Sequence, residues 1–261
     1  MTLAHDVAGD GPSTVLLLHS GVCDRRMWDG QFHALAEAGH RVVRCDLRGF
    51  GDSPIDRPHV HADDIRELLD HLGVERAALV GSSFGGEVAL EFTVRHPGRT
   101  TALALLCAAA PGHEAGPELR EFFARERALL VDGDISAAAD LNVDFWLGPD
   151  ADADARELVR RMQTRAFELQ LPAPDEFAPG DVEVTDADLA AIGVPVLVAT
   201  GAHDVPDFRA IGDRLARLFP DVRRVELDRA GHLPAVEHPE ETAKLLVDFL
   251  GSRTSLTTPA A

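Results

Sequence analysis

The stretch Gly81-Ser82-Ser83-Phe84-Gly85 constrains this 261-residue chain more than any other. An apolar run, Ala77-Ala78-Leu79-Val80, leads into it, and Gly86-Glu87-Val88-Ala89-Leu90-Glu91-Phe92 leads out with helical spacing of its apolar residues. A strand must therefore hand over to a helix with almost no room between them. A residue on so sharp a turn holds a strained backbone, and side chains two positions to either side of it would collide. Ser83 has glycine at both of those positions, whereas Ser82 has Val80 behind it. Ser83 is the candidate nucleophile, and Ser82 is its neighbour.

The same rhythm runs through the rest of the chain. Short apolar runs alternate with amphipathic stretches, the pattern of a mostly parallel, twisted sheet flanked by helices, an α/β architecture. Strands are expected over 15–19, 41–46, 77–81, 101–109, 194–200 and 222–227, with residues 2–8 adding one antiparallel strand. Helices are expected over 28–38, 62–72, 84–96, 207–218 and 239–250. Gly39, Gly73 and His96-Pro97-Gly98 stop the first three. After Pro111-Gly112 the alternation fails. Helix-favouring segments at 117–131, 135–146 and 153–167 precede a Pro-rich acidic stretch, and no strong strand follows until Val194. That is too long for an ordinary connection. Residues 113–191 therefore read as a helical cap inserted over the carboxyl ends of the strands, where open α/β sheets bind ligands. The core comprises 1–112 and 192–251, and 252–261 is expected to be a flexible tail.

Composition removes several function classes. The formal net charge of −19 argues against nucleic acid and against anionic membranes, both of which need a basic surface. No apolar run approaches the roughly 20 residues of a membrane span. The N-terminus has neither the basic nor the apolar segment of a signal peptide. A soluble cytoplasmic protein is expected. Cys23, Cys45 and Cys107 are odd in number, and two sit in or beside strand-like runs, so buried free thiols are expected rather than a disulfide framework.

A serine hydroxyl becomes a useful nucleophile only when a base takes its proton and a third group orients that base. His232, in Ala230-Gly231-His232-Leu233-Pro234, follows the last expected strand. Asp204, in Gly201-Ala202-His203-Asp204, follows the one before. Asp207 lies close by as the alternative acid. The oxyanion of an acyl-transfer intermediate needs preorganised N–H donors. One should be the amide of Phe84, at the start of its helix. The other should come from the loop after the first strong strand, from Gly21 or alternatively Val22, with His19 shaping that loop.

His19-Ser20-Gly21, the run Asp46 to Ser53, Gly81 to Gly86, Gly201 to Asp204 and Gly231-His232 together resemble the α/β-hydrolase superfamily, in its serine-nucleophile branch. Arg25-Arg26-Met27-Trp28-Asp29 looks most like enol-lactonases and small-ester hydrolases. One departure is Ser20, where most relatives carry glycine after the histidine. The resemblance implies the α/β-hydrolase fold and a Ser83, His232, Asp204 triad that cleaves a small ester or lactone through an acyl-enzyme, with no cofactor and no metal. Carbon–carbon bond hydrolases and cofactor-free perhydrolases share that triad; a non-catalytic binding protein on the same scaffold would not need it. Haloalkane dehalogenases and epoxide hydrolases use an aspartate nucleophile, and the latter also need cap tyrosines. The chain has Ser83 and no tyrosine. Trp28, Phe122, Phe123, Trp146 and Met162 are the candidates to line a substrate pocket, and Arg120, Arg125, Arg127 and Arg165 the candidates to meet a substrate carboxylate. His59-Val60-His61-Ala62-Asp63-Asp64 nearly matches a zinc motif, but its sixth position is aspartate and further ligands are not evident.

Overall fold

The computed structural model describes residues 2–180 and 182–254. Seven strands form one sheet: β1 (His5–Ala8), β2 (Thr14–Leu18), β3 (Arg41–Cys45), β4 (Ala77–Ser82), β5 (Thr100–Leu106), β6 (Val196–Gly201) and β7 (Val222–Leu227). Their spatial order is β1-β3-β2-β4-β5-β6-β7. Only β1 runs antiparallel to its neighbour; every other pair is parallel. β4 is buried along its whole length and reads as an unbroken run of small and apolar residues, as a strand covered on both faces must. β7, at the edge, exposes Arg223 and Glu226 instead.

The helices are α1 (Asp29–Glu37), α2 (His61–His71), α3 (Phe84–Arg95), α4 (Pro117–Val131), α5 (Ile135–Trp146), α6 (Ala153–Gln170), α7 (Asp186–Ala190), α8 (Pro206–Leu218), α9 (Pro234–Glu237) and α10 (Pro239–Thr254). One group of contacts joins α2, α3, α7 and α8, with α3 and α8 lying on the central and distal strands. A second joins α1, α9 and α10. α4, α5 and α6 stack in sequence between β5 and β6, the only three helices of eight or more residues among the described residues of that segment. None of the described helices is long and apolar enough to cross a membrane. The three cysteines are free and buried.

Two expected boundaries shift, the first for an identifiable reason. β5 stops at Leu106, not Ala109, because Cys107 adopts φ +45° and turns the chain back so that the Ala109 N–H donates to the Ser83 carbonyl at 3.0 Å. α10 continues to Thr254, past Ser252 where the tail was expected to begin; residues 255–261 of that tail lie outside the described residues.

The handover from β4 to α3 is as tight as its glycines imply. A Cβ on Gly81 would lie 2.4 Å from the Gly85 carbonyl oxygen, and one on Gly85 would lie 2.3 Å from that of Leu18. Both obstacles are backbone and cannot swing aside. Gly81→Ala should cost about 1–3 kcal/mol, toward the top of the overpacking range. Gly193→Ala, where no atom lies within 4 Å of the new Cβ, should change stability by less than about 0.5 kcal/mol. Urea unfolding of the two variants checks this, and equal midpoints would contradict it.

Candidate active site

Ser83 sits between β4 and α3 with φ +50° and ψ −118°, a conformation that L-residues rarely adopt. Its backbone is held on every side. The N–H donates to the Leu106 carbonyl at 3.0 Å, and the Ser83 carbonyl accepts from Gly86, Glu87 and Ala109. The carboxyl ends of β4, β6 and β7 then bring three distant residues together. Ser83 Oγ lies 2.8 Å from His232 Nε2, and His232 Nδ1 lies 2.9 Å from Asp204 Oδ1. All three side chains are buried. The His232 N–H donates to the Trp146 carbonyl at 3.0 Å, so the end of α5 helps to fix the histidine loop.

Asp207, the alternative acid, is engaged elsewhere. Its Oδ1 accepts from His113 Nε2 at 2.8 Å and from the Gly116 N–H at 2.5 Å, which pins the start of α4 to α8. Cys107 Sγ stands within 4.8 Å of the ligand atoms of both Asp204 and His232. Burial, reinforced by the Asp204 charge, pushes its thiol well above the usual range, so it stays protonated and is no rival nucleophile.

Two sources of N–H donors line the cavity together with Ser83. Phe84 is the first residue of α3, where helix geometry leaves amides without an intrahelical acceptor. Across from it, the turn Ser20–Cys23 closes through Cys23 N–H to the Ser20 carbonyl at 3.0 Å, which leaves the amides of Gly21 and Val22 outside that bond. A Cβ on Gly21 would meet Phe84 Cβ at 3.4 Å, so the two candidate donors are packed side by side. His19 does shape this loop. Its Nδ1 donates to the Ser20 carbonyl at 2.8 Å and its Nε2 accepts the Leu47 N–H at 2.9 Å, an arrangement that fixes one neutral tautomer.

A cavity of about 540 Å³ opens onto Ser83 and His232. Phe122, Phe123 and Trp146 line it. Trp28 and Met162 do not. Trp28 is fully buried in the core at the entry to α1, and Met162 is fully buried with its Sδ facing the Asp24 N–H at 3.4 Å. Phe208 was missed: it packs on His232 with ring centroids 4.2 Å apart, while Trp146 covers the same ring at 4.5 Å. Also missed were Glu126, Asn142 and Gln163, of which Asn142 carries a legible signal. It lies four residues before Trp146 on α5, and its Oδ1 accepts the indole N–H at 3.0 Å. None of Arg120, Arg125, Arg127 and Arg165 lines the cavity.

The near-match to a zinc motif does converge in space. His59, His61 and Asp64 are buried, with ligand atoms within 4.8 Å of one another. Asp64, not Asp63, is the carboxylate. It is already committed: Arg48 Nε and Nη2 donate to it at 2.9 and 3.0 Å and Arg57 Nη2 at 2.7 Å. A cation placed there would face two guanidinium groups, so the donor set does not suit a metal.

The chain matches the alpha/beta hydrolase fold family over residues 13–239. It is 30% identical to a 2-hydroxy-6-oxononadienedioate/2-hydroxy-6-oxononatrienedioate hydrolase of Paraburkholderia phymatum, with 93% of this chain and 88% of that one covered. Among solved structures it is similar to a thermophilic esterase from Thermogutta terrifontis (TM-score 0.82, 28% identity, 96% and 93% covered). It is also similar to the enol-lactonase of Burkholderia xenovorans LB400 (TM-score 0.77, 27% identity, 95% and 96% covered).

The buried groups beside the cavity make stability fall with acid. Burial, with His59 next, pushes the His61 imidazole down to about 3, so it is neutral in the folded protein. An unfolded imidazole takes up a proton near about pH 6.5, and the unfolded state therefore binds more protons below that point. Asp64 acts in the same direction at lower pH: burial alone would raise its carboxyl, but the Arg48 and Arg57 hydrogen bonds hold it below the usual range. The urea midpoint should fall between about pH 7 and about pH 5, and His61→Phe should shrink that fall. An undiminished fall in the variant would contradict a neutral, buried His61.

Proposed function

Because the chain belongs to the alpha/beta hydrolase fold family and is a hydrolase, we propose that it is a serine hydrolase acting on a small carboxylic ester or lactone. The observation that carries this reading is the continuous hydrogen-bonded line from Ser83 through His232 to Asp204, at 2.8 and 2.9 Å, opening onto a cavity of ligand size. His232 Nε2 removes the Ser83 proton as Oγ attacks the acyl carbon. The Phe84 amide, with that of Gly21 or alternatively Val22, receives the oxyanion. His232 then gives its proton to the leaving oxygen, and the carbon–oxygen bond breaks to leave the acyl group on Ser83. Water enters, loses a proton to His232 and attacks the acyl carbon; the proton returns to Ser83 Oγ as the acid departs. Asp204 holds the imidazole in the tautomer with the proton on Nδ1 and stabilises its cation without taking that proton.

Support also comes from the similar proteins, which include an esterase and an enol-lactonase. Turnover should be measured on a panel of short acyl esters and enol lactones. Ser83→Ala should abolish it, and Asp204→Asn should lower kcat by about 10³–10⁴. Asp207→Asn, which only loosens the tie between α4 and α8, should stay within about tenfold. Comparable losses at Asp204 and Asp207, or activity in Ser83→Ala, would contradict the assignment.

A further inference from the structure

The cavity has two walls of different chemistry, and each reaches Ser83 by a different route. One is aromatic: Trp146 and Phe208 lie on His232, and Phe122 stands 5.1 Å from Trp146, centroid to centroid. The other runs through Phe84, which touches the His61 ring at 5.1 Å and Phe50 at 6.1 Å. α6 closes this second side. Its Gln170 donates to the Gly49 carbonyl at 3.1 Å and its Arg165 to that of Gly51 at 3.2 Å, on the loop that carries Phe50. On the same helical face, Gln163, Phe167 and Gln170 line the cavity at i, i+4 and i+7.

Gln163 and His61 on this second wall each keep a buried polar atom without a hydrogen-bond partner in the protein, as does the neighbouring His59 through its Nε2. Gln163 is 4% exposed and its Oε1 is buried without a hydrogen bond; His61 is 7% exposed and its Nδ1 is buried likewise. Buried polar groups without partners are uncommon, because each one costs roughly 1–3 kcal/mol. Gathered on one wall of a binding cavity, they point to a ligand that engages them. The wall is also uncharged. Arg48 lines it, but its guanidinium is taken up by Asp64, Asp56 and the Pro54 carbonyl. His61 is neutral for the reason given above. Among the described lining residues, no cation is left free to meet a carboxylate.

The direction of the substrate follows from the chemistry. His232 must protonate the leaving oxygen, so the alcohol part lies on the aromatic side, and the acyl part extends past Phe84. We propose that His61 and Gln163 form a neutral hydrogen-bonding subsite for the acyl group, so that the enzyme prefers an uncharged acyl chain bearing a second oxygen, as in a ketone, ether or amide. This rests on the serine-hydrolase reading. Such a chain is selected over a plain alkyl chain, which leaves both groups unpaired, and over a carboxylate, which finds no partner charge.

Three 4-nitrophenyl esters with the same leaving group test this: the hexanoate, the 5-oxohexanoate and the monoester of adipic acid. The wild type should favour the oxo ester over the hexanoate by about three- to tenfold in kcat/KM, as one or two net hydrogen bonds would give, with the adipate slowest. The ratio of oxo ester to hexanoate should fall toward one in His61→Phe and in Gln163→Leu. Fluorophosphonate labelling of each variant reports on Ser83 separately. Intact labelling with an unchanged ratio in both variants, or a wild type that prefers hexanoate or adipate, overturns the subsite. A wild type that hydrolyses the esters but is not labelled overturns the serine reading beneath it.

Discussion

Everything in this molecule hangs on how closely α3 approaches β4 and β2 around Ser83. The approach is possible only because Gly81 and Gly85 carry no side chain; a Cβ at either would overlap backbone oxygen. It forces Ser83 to φ +50°, and strain of that kind, of order 1–3 kcal/mol, persists only where the surroundings over-determine it. Here the Leu106 carbonyl and three amides that share the Ser83 carbonyl do so. The result is a hydroxyl lifted out of the sheet into a cavity, beside the unpaired amides of a helix start. Substituents at a distance then need only the right loop to reach it.

The fold and the three central side chains were legible because local sequence determines them. Apolar runs on fully buried parallel strands, and glycines at i−2 and i+2 of a serine, leave few alternatives. The parallel run of β4, β5, β6 and β7 places the loops bearing Asp204 and His232 at the same end of the sheet as Ser83. What sequence left open turned on contacts between distant segments. Asp204 and Asp207 lie three residues apart after the same strand, and only the capture of Asp207 by His113 and Gly116, about ninety residues upstream, separates them. Trp28 and Met162 show the same limit from the other side. An apolar residue near a loop looks identical in sequence whether it faces the core or a cavity, and both face the core.

Residues that define the cavity's character were hidden for a related reason. Gln163 is a polar residue in a helix whose exposed positions are also polar, so its inward direction has no compositional mark. His61 sat inside a motif that reads as a metal site, and the convergence of His59, His61 and Asp64 is real. The arginines decide against the metal: Arg48 and Arg57, far enough apart to belong to no motif, saturate Asp64. Burial, more than the arginines, lowers the pKa of both histidines, which stand in the cavity wall. Pairing of Arg48 with Asp64 at the cavity wall thus leaves that wall without a free charge among its described residues.

The central claim is that Ser83 carries the acyl group between the two halves of the reaction. Rapid acid quench of the protein with a slowly turned-over ester, followed by intact-mass and peptide mass spectrometry, reads this directly. The account predicts a single adduct with the mass of the acyl group, on the peptide that contains Ser83, absent from Ser83→Ala. Turnover without any adduct during the first cycle, or an adduct carried by Cys107 or another residue, would contradict it.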